Sequence, residues 1–509
     1  MSFFAFRRNY YVSSFFWSTV SRLLSAAFGF ITTPLLLGFY GKADYGILAL
    51  ATACNGYMHL LDLGMNTGAV KYFAQWAAEG RHDLVQRVAN TNQTFYLIIA
   101  AINMLGLLAL AVWGAPLFNI TAEQFTTLRE CLIIIALFSV FSWGGTPFNQ
   151  LLIADKQMAF TAQMYTLMSG LKFLLIGLTL YLKLPLTTYF FFLTALSAIL
   201  IIPYAIRCRQ SGLIHSFFPR TCWHEFHPVL RFSLAIFALS LFQATATQSR
   251  PILLGMFALD GAAAVADFNI VQVVPNFIIM LAGTFSGIFL PQTSRLVAAH
   301  DQPAIEQFAY KWTRLTSVVV NVLCFPFILG ARSALAAYVG PQFAGLSVWL
   351  VIWILTVLVQ MHTTAGNALV LAYGRTKILV IMTAGACVFS MLLNILLCRY
   401  FQVGSAIVAY FLYVLFIIGM YYGIFYNSLL HLRRRKMLAA FLRPLLMALL
   451  AWAICLAIPI DKLFFWEGNR FFHLAILALK AFAWLVPYVL LLFVFKVVTF
   501  AELTHADGK

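Results

Sequence analysis

Residues 15–39 read FFWSTVSRLLSAAFGFITTPLLLGF, with a single charged side chain, Arg22. A run of this length and character fits one bilayer crossing, which needs about 20 apolar residues at roughly 1.5 Å of rise each. The polar residues in and around it are ordered. Ser14, Ser18, Arg22, Ser25, Gly29 and Thr33 follow steps of three and four and so share one face of a helix. Lipid does not tolerate such a seam, so the seam faces protein or water.

Moving outward, the same kind of run recurs along the whole chain. Spans are expected at Tyr45–Leu63, Thr94–Trp113, Leu128–Phe148, Phe160–Tyr181 and Leu186–Ile206. A second set follows at Val229–Leu254, Ala263–Phe289, Trp312–Gly330, Gly345–Leu371, Ile378–Leu397 and Val403–Asn427, then Pro444–Ile460 and Phe472–Val494. The fold expected is an all-α integral membrane protein of about fourteen transmembrane helices, with two six-helix lobes and two C-terminal helices. Lobe 1–206 is followed by a basic loop at 207–228. A second lobe spans 229–429, a second basic loop 430–443, helices 13 and 14 residues 444–498, and a tail 499–509. The echo Pro34-Leu-Leu-Leu-Gly38 against Pro251-Ile-Leu-Leu-Gly255 supports two related halves.

Composition agrees. The 509 residues are 62% hydrophobic and 10% charged, whereas soluble domains are about half apolar and a quarter charged. No stretch between spans is long enough to build a soluble core. The net charge of +17 is not a nucleic-acid signature, because the 33 Lys and Arg residues are spread through short loops. Alternating the spans from a cytoplasmic N-terminus puts most of these cations on the cytoplasmic side, which supports an even count with both termini inside. Arg7 and Arg8 precede a first span too long for a cleaved signal, so an uncleaved helix is expected. The eight cysteines form no CxxC, and Cys208…Cys222-Trp-His224…His227 lacks zinc spacing. Neither metal nor cofactor is expected.

Three further seams stand out: Thr52, Asn55, His59, Asp62 and Asn66; Ser240, Gln243, Thr247 and Arg250; and Asn269, Gln272 and Asn276. Three cations, Arg22, Lys172 and Arg250, fall within spans, and each costs about 2.5–3.5 kcal/mol near the bilayer centre unless water or a partner relieves it. They are the candidate binding residues of a central cavity that receives an anionic group; Arg suits phosphate through its planar fork, and Lys acts as a point charge. Alternatives stand beside this reading. Arg22 and Asp62 could form a structural ion pair, Arg250 could reach the outer surface, and His59 or His362 could be hydrogen-bonded interior residues or proton carriers. Asp62, His59, Asn55, Gln243, Gln272 and Asn276 are the candidate polar or coupling residues.

The segment from Arg22 to Gln75 carries Thr33-Pro34-Leu-Leu-Leu-Gly38, Asp44-Tyr45-Gly46, Leu61-Asp62-Leu63-Gly64-Met65-Asn66 and Lys71-Tyr72-Phe73. It resembles the N-terminal region of oligosaccharide flippases of the multidrug/oligosaccharidyl-lipid/polysaccharide exporter superfamily, nearest the O-antigen (Wzx-type) translocases. The resemblance implies two six-helix bundles about a central cavity. It also implies a cargo of undecaprenyl-pyrophosphate-linked oligosaccharide moved across a bacterial inner membrane by alternating access, with polysaccharide polymerase machinery nearby. It places basic residues in the cavity, a use that Arg22, Lys172 and Arg250 would fit. A multidrug or cation exporter of the same superfamily is the alternative; its cargo would favour buried carboxylates, whereas this chain buries about one acid against three cations. A membrane-embedded polymerase or ligase is disfavoured, because the external loops are short and carry no paired carboxylates, serine elbow or metal triad. The chain is expected not to be an enzyme.

Overall fold

A computed structural model describes residues 10–212, 221–373, 376–457 and 470–498. The expected tail 499–509 and part of the 207–228 loop lie outside the described residues. Every regular element among those residues is a helix, as a chain in lipid requires, because only internal hydrogen bonds satisfy the backbone there. In order they are α1 (Tyr10–Met58), α2 (Met65–Ala78), α3 (His82–Trp113), α4 (Ala122–Ala154), α5 (Met158–Leu182), α6 (Leu186–Ala198), α7 (Ile201–Gln210) and α8 (Trp223–Phe257). There follow α9 (Gly261–Ala298), α10 (Gln302–Leu329), α11 (Ala331–Tyr338), α12 (Ser347–Met361), α13 (Thr364–Ala372), α14 (Thr376–Phe401), α15 (Val403–Met420), α16 (Arg434–Leu456) and α17 (Arg470–Val494).

Among the described residues, 12 helices are long and apolar enough to cross a membrane. The sequence count of fourteen differs at two places. It splits the 47-residue apolar stretch Phe16–Asp62 into two spans, and it adds α8. At 1.5 Å per residue that stretch would reach roughly 70 Å, more than twice the hydrocarbon slab. The chain breaks it at Gly41, where φ is 84° and ψ 172°, a left-handed conformation that a side chain would strain. The two arms are tied across the break by Thr33 Oγ1 and Tyr45 Oη, 3.1 Å apart. Large apolar side chains stand exposed along the helices, among them Leu105 63%, Leu174 70% and Leu396 69%. Such a surface would aggregate in water and is natural in lipid.

The chain divides into two compact units, Met1–Ala266 and Asp267–Lys509. This boundary lies inside α9 and groups α8 with the N-terminal helices, whereas the sequence reading opened its second lobe at 229. In the first unit α8 is fastened at both ends. Arg87 on α3 forms a two-pronged pair with Glu225, at 2.8 and 2.9 Å, and Lys71 sits 3.7 Å over the Phe232 ring. At the other end Asn119 donates through Nδ2 to Ala258 O and Leu259 O, at 2.6 and 3.1 Å. Small residues permit this fit: a Cβ at Gly68 would lie 1.9 Å from Ser233 Oγ, and one at Gly46 2.0 Å from Ala262 O. The Asp44-Tyr45-Gly46 motif therefore marks a close backbone approach. The core beneath is aromatic and aliphatic, with Phe73, Tyr96, Trp143 and Phe226 all buried.

In the second unit a buried cluster joins Phe289, Phe308, Leu369, Phe425, Tyr426 and Met437. The last two helices, α16 and α17, pack on α10. Trp484 stacks on Phe325 at 5.0 Å and donates from Nε1 to Ala448 O at 3.0 Å, and Asn321 Nδ2 donates to Tyr488 Oη at 3.2 Å.

Candidate functional site

The first unit holds a partly open cavity of about 230 Å³ among its own helices. The second arm of α1 and the turn after it contribute Thr52, Asn55 and His59; α3 contributes Asn103; α4 contributes Ser139, Ser142 and Trp143. Lys172 enters from α5, and Thr194 and Ser197 from α6. Phe28, Phe138 and Phe190, with Ile135, Leu193 and Ala198, complete the wall. α1 packs along α5, with Phe28 edge-on to Phe173 at 5.1 Å, while none of the first seam of α1 lines the cavity. The ammonium of Lys172 is half-buried, and no carboxylate lines the cavity with it. A charge in that setting is left for water or a ligand to satisfy.

Most hydroxyls around the cavity have already spent their protons. Thr52 donates to Leu48 O, Thr194 to Phe190 O, Ser197 to Leu193 O and Ser139 to Ala136 O, at 2.7 to 3.1 Å. Their oxygens therefore face the space as acceptors. Asn103 is 1% exposed, and its Oδ1 has no hydrogen-bond partner.

Beside the cavity, Asp62 is held by a chain of uncharged groups. Tyr96 Oη donates to Asp62 Oδ1, Gln150 Nε2 donates to Tyr96 Oη at 2.7 Å, and Asn92 Nδ2 donates to Gln150 Oε1 at 2.7 Å. The backbone N–H of Asn66 donates to Asp62 Oδ2 at 3.3 Å. This corrects one sequence alternative. Asp62 is held by Tyr96 and Asn66 and not by Arg22. His59 packs against Trp143 at 5.0 Å, and Trp143 stacks in turn near Tyr96 at 6.0 Å.

The structure thus brings Lys172, His59 and Asn55 together. Arg22 is exposed on α1 and does not line this cavity. Arg250 is buried at 8% exposure within the first unit, with Nε donating to Thr247 O at 3.2 Å, so it does not reach for an outer surface. It also lies outside the cavity wall. Gln243 is exposed on α8, and the Ser240 side chain lies outside the described residues. Gln272 and Asn276 belong to the second unit; Gln272 Nε2 donates to Asn269 Oδ1, and Asn276 is exposed. The sequence reading passed over Asn92, Tyr96 and Asn103, although their four- and seven-residue spacing on α3 is the same signal that marked α1. Among the described residues, no three His, Cys, Asp or Glu side chains gather to hold a metal.

This arrangement, a cation and a polar wall inside a helical unit of a membrane protein, can be set beside known proteins. A family model described as "Polysaccharide biosynthesis protein" matches residues 11–297, more than half of the chain and all but the start of the first unit. The chain belongs to the polysaccharide biosynthesis protein family. No curated protein sequence matches it. Among solved structures it is similar to "Lipid II flippase MurJ, inward closed conformation", at 13% identity and a TM-score of 0.68, covering 94% of this chain and 98% of that one. It is also similar to "Inward-facing conformation of a multidrug resistance MATE family transporter of the MOP superfamily", at 13% identity and 0.62, covering 84% and 96%. A third likeness is to a transporter of that superfamily from Pyrococcus furiosus, at 12% identity and 0.53, covering 84% and 95%. The polysaccharide-family chain therefore has the fold seen in these flippase and exporter structures, the fold that the N-terminal resemblance implied.

Proposed function

We propose that this protein is a flippase for undecaprenyl-pyrophosphate-linked oligosaccharide, such as an O-antigen or exopolysaccharide repeat unit. In this reading it carries its cargo from the cytoplasmic to the periplasmic leaflet of a bacterial inner membrane by alternating access, with both termini cytoplasmic. The observation that carries the reading is Lys172, an ammonium facing a polar cavity with no carboxylate in its wall. A cationic drug would be repelled there and would want acids, but the nearby acid, Asp62, is already engaged by Tyr96 and Asn66. An anionic lipid-linked glycan offers a charge for the ammonium and hydroxyls for the surrounding acceptors, while its lipid tail stays in the bilayer. Family membership supports a role in polysaccharide assembly, and the likeness to a lipid II flippase supplies a fold with a lipid-linked cargo. Arg22 and Arg250 extend the proposal as further cations along the path. The charged loops are the surface at which polymerase machinery would be met.

The test is translocation in vesicles. Purified protein is reconstituted with a fluorescent undecaprenyl-pyrophosphate oligosaccharide, and the glycan exposed on the outer leaflet is followed with an impermeant quencher. Protein-dependent transfer is expected. Transfer no faster than in protein-free vesicles, together with efflux of cationic dyes, would replace this reading with the drug exporter.

A further inference from the structure

We infer that the cavity of the first unit is a subsite for one acidic sugar ring of the cargo, an inference that rests on the flippase reading above. Size comes first. A hexose displaces roughly six waters of about 30 Å³ each, which a cavity of about 230 Å³ accommodates.

The chemistry of the wall then selects among small anions. Thr52, Thr194, Ser197 and Ser139 donate to their own helix carbonyls, so they offer the cavity lone pairs. Asn103 adds a buried carbonyl oxygen without a donor. These acceptors stand beside donor groups on Asn55, His59, Trp143 and Lys172, and a wall of both kinds suits a ligand whose hydroxyls both donate and accept. Inorganic phosphate or a pyrophosphate offers no apolar face to the aromatic rings of the wall. Trp143, Phe28 and Phe190 give flat apolar faces, which suit the C–H face of a pyranose. Lys172 is the one lysine or arginine in the wall, so the ligand carries a negative substituent that can meet an ammonium, which a carboxylate does. Each feature alone fits several ligands; the combination of donors, a flat face and one negative charge describes a uronic acid.

Saturation-transfer NMR on the full-length protein in nanodiscs tests this directly, with glucuronate, glucose and inorganic phosphate as probes. Glucuronate is expected to receive saturation, glucose to bind about tenfold more weakly, and phosphate not to displace glucuronate. Lys172→Gln should weaken glucuronate about tenfold or more while leaving glucose unchanged. Asn103→Leu, which tests the acceptor wall without touching the charge, should weaken both sugars. Phosphate displacing glucuronate at equal concentration, or glucuronate binding unaltered in both variants, would overturn the subsite. If glucuronate fails to bind while the wild-type protein still moves the lipid-linked glycan, the subsite is wrong and the flippase stands. If neither binding nor transfer occurs, both fail.

Discussion

Two of the polar regions inside the apolar helices of this protein, one in each compact unit, are built on opposite principles. In the second unit, Tyr421 Oη donates to Asn367 Oδ1 at 2.9 Å, Tyr410 Oη donates to Gln360 Oε1 at 3.2 Å, and the His362 Nε2 lies 3.3 Å from Tyr422 Oη. The other ring nitrogen of His362 meets Val359 O, and its face stacks on Phe441 at 4.2 Å. These groups largely satisfy one another. In the first unit, Lys172 instead borders open volume with no carboxylate beside it, and the buried Asn103 Oδ1 in the same wall has no hydrogen-bond partner. A polar residue within a membrane span is thus ambiguous until its partners are known. A closed network fixes packing, whereas an open one is available to a ligand.

The contrast can be broken most severely at the fold that holds the first cavity. Gly46→Val would drive a side chain into the Ala262 carbonyl at an overpacking cost of about 1–3 kcal/mol or more. Loss of folded protein in fluorescence-detected size-exclusion chromatography is the expected result, and a stable variant would show that α9 does not need that approach. Next, Tyr96→Phe removes the donor to Asp62 and the acceptor for Gln150. About 1–3 kcal/mol of stability should go with it, read as a lower unfolding midpoint. An unaltered midpoint would mean that the relay is loosely made.

A smaller effect sharpens the comparison from the other side. Tyr421→Phe removes one hydrogen bond of the closed network, worth about 0.5–1.5 kcal/mol, and should leave translocation at the wild-type rate. A transport defect at full stability would move the functional site toward the second unit. The smallest effect concerns the fastening of α8. The Arg87 guanidinium hydrogen-bonds Glu225 and holds its carboxyl below the usual range. The stabilisation is therefore present above the ordinary glutamate pKa and is lost as pH falls through the depressed value. Wild-type protein should loosen slightly at acid pH by hydrogen exchange around 222–226, and Glu225→Gln should show the looser pattern at every pH. A pattern that tightens with acid would refute the pairing.

Much of this architecture was legible in the residue order, because lipid makes hydropathy a near-direct report of helix position. The runs at 94–113 and 160–181 lie within α3 and α5, and the break between Phe39 and Tyr45 was visible in Gly41 and Lys42. Lys172 and His59 were likewise legible as costly or polar residues at helical spacing. What the order of residues did not disclose was who meets whom. The pairing of Asp62 with Tyr96 rather than Arg22 depends on the rotation of α3 against the turn after α1, which no local pattern encodes. The attachment of α8 to the first unit depends on Gly68 and Asn119, and that of the start of α9 on Gly46, single residues whose role appears only when the neighbouring backbone is in place.

The claim on which the rest turns is that the ammonium of Lys172 meets the cargo's negative charge. Its most direct test is the vesicle transfer rate of Lys172→Gln against Lys172→Arg and wild type, with membrane insertion matched. A fall of about tenfold or more in the glutamine variant, largely restored by arginine, is the predicted result. Equal rates in all three proteins would contradict it.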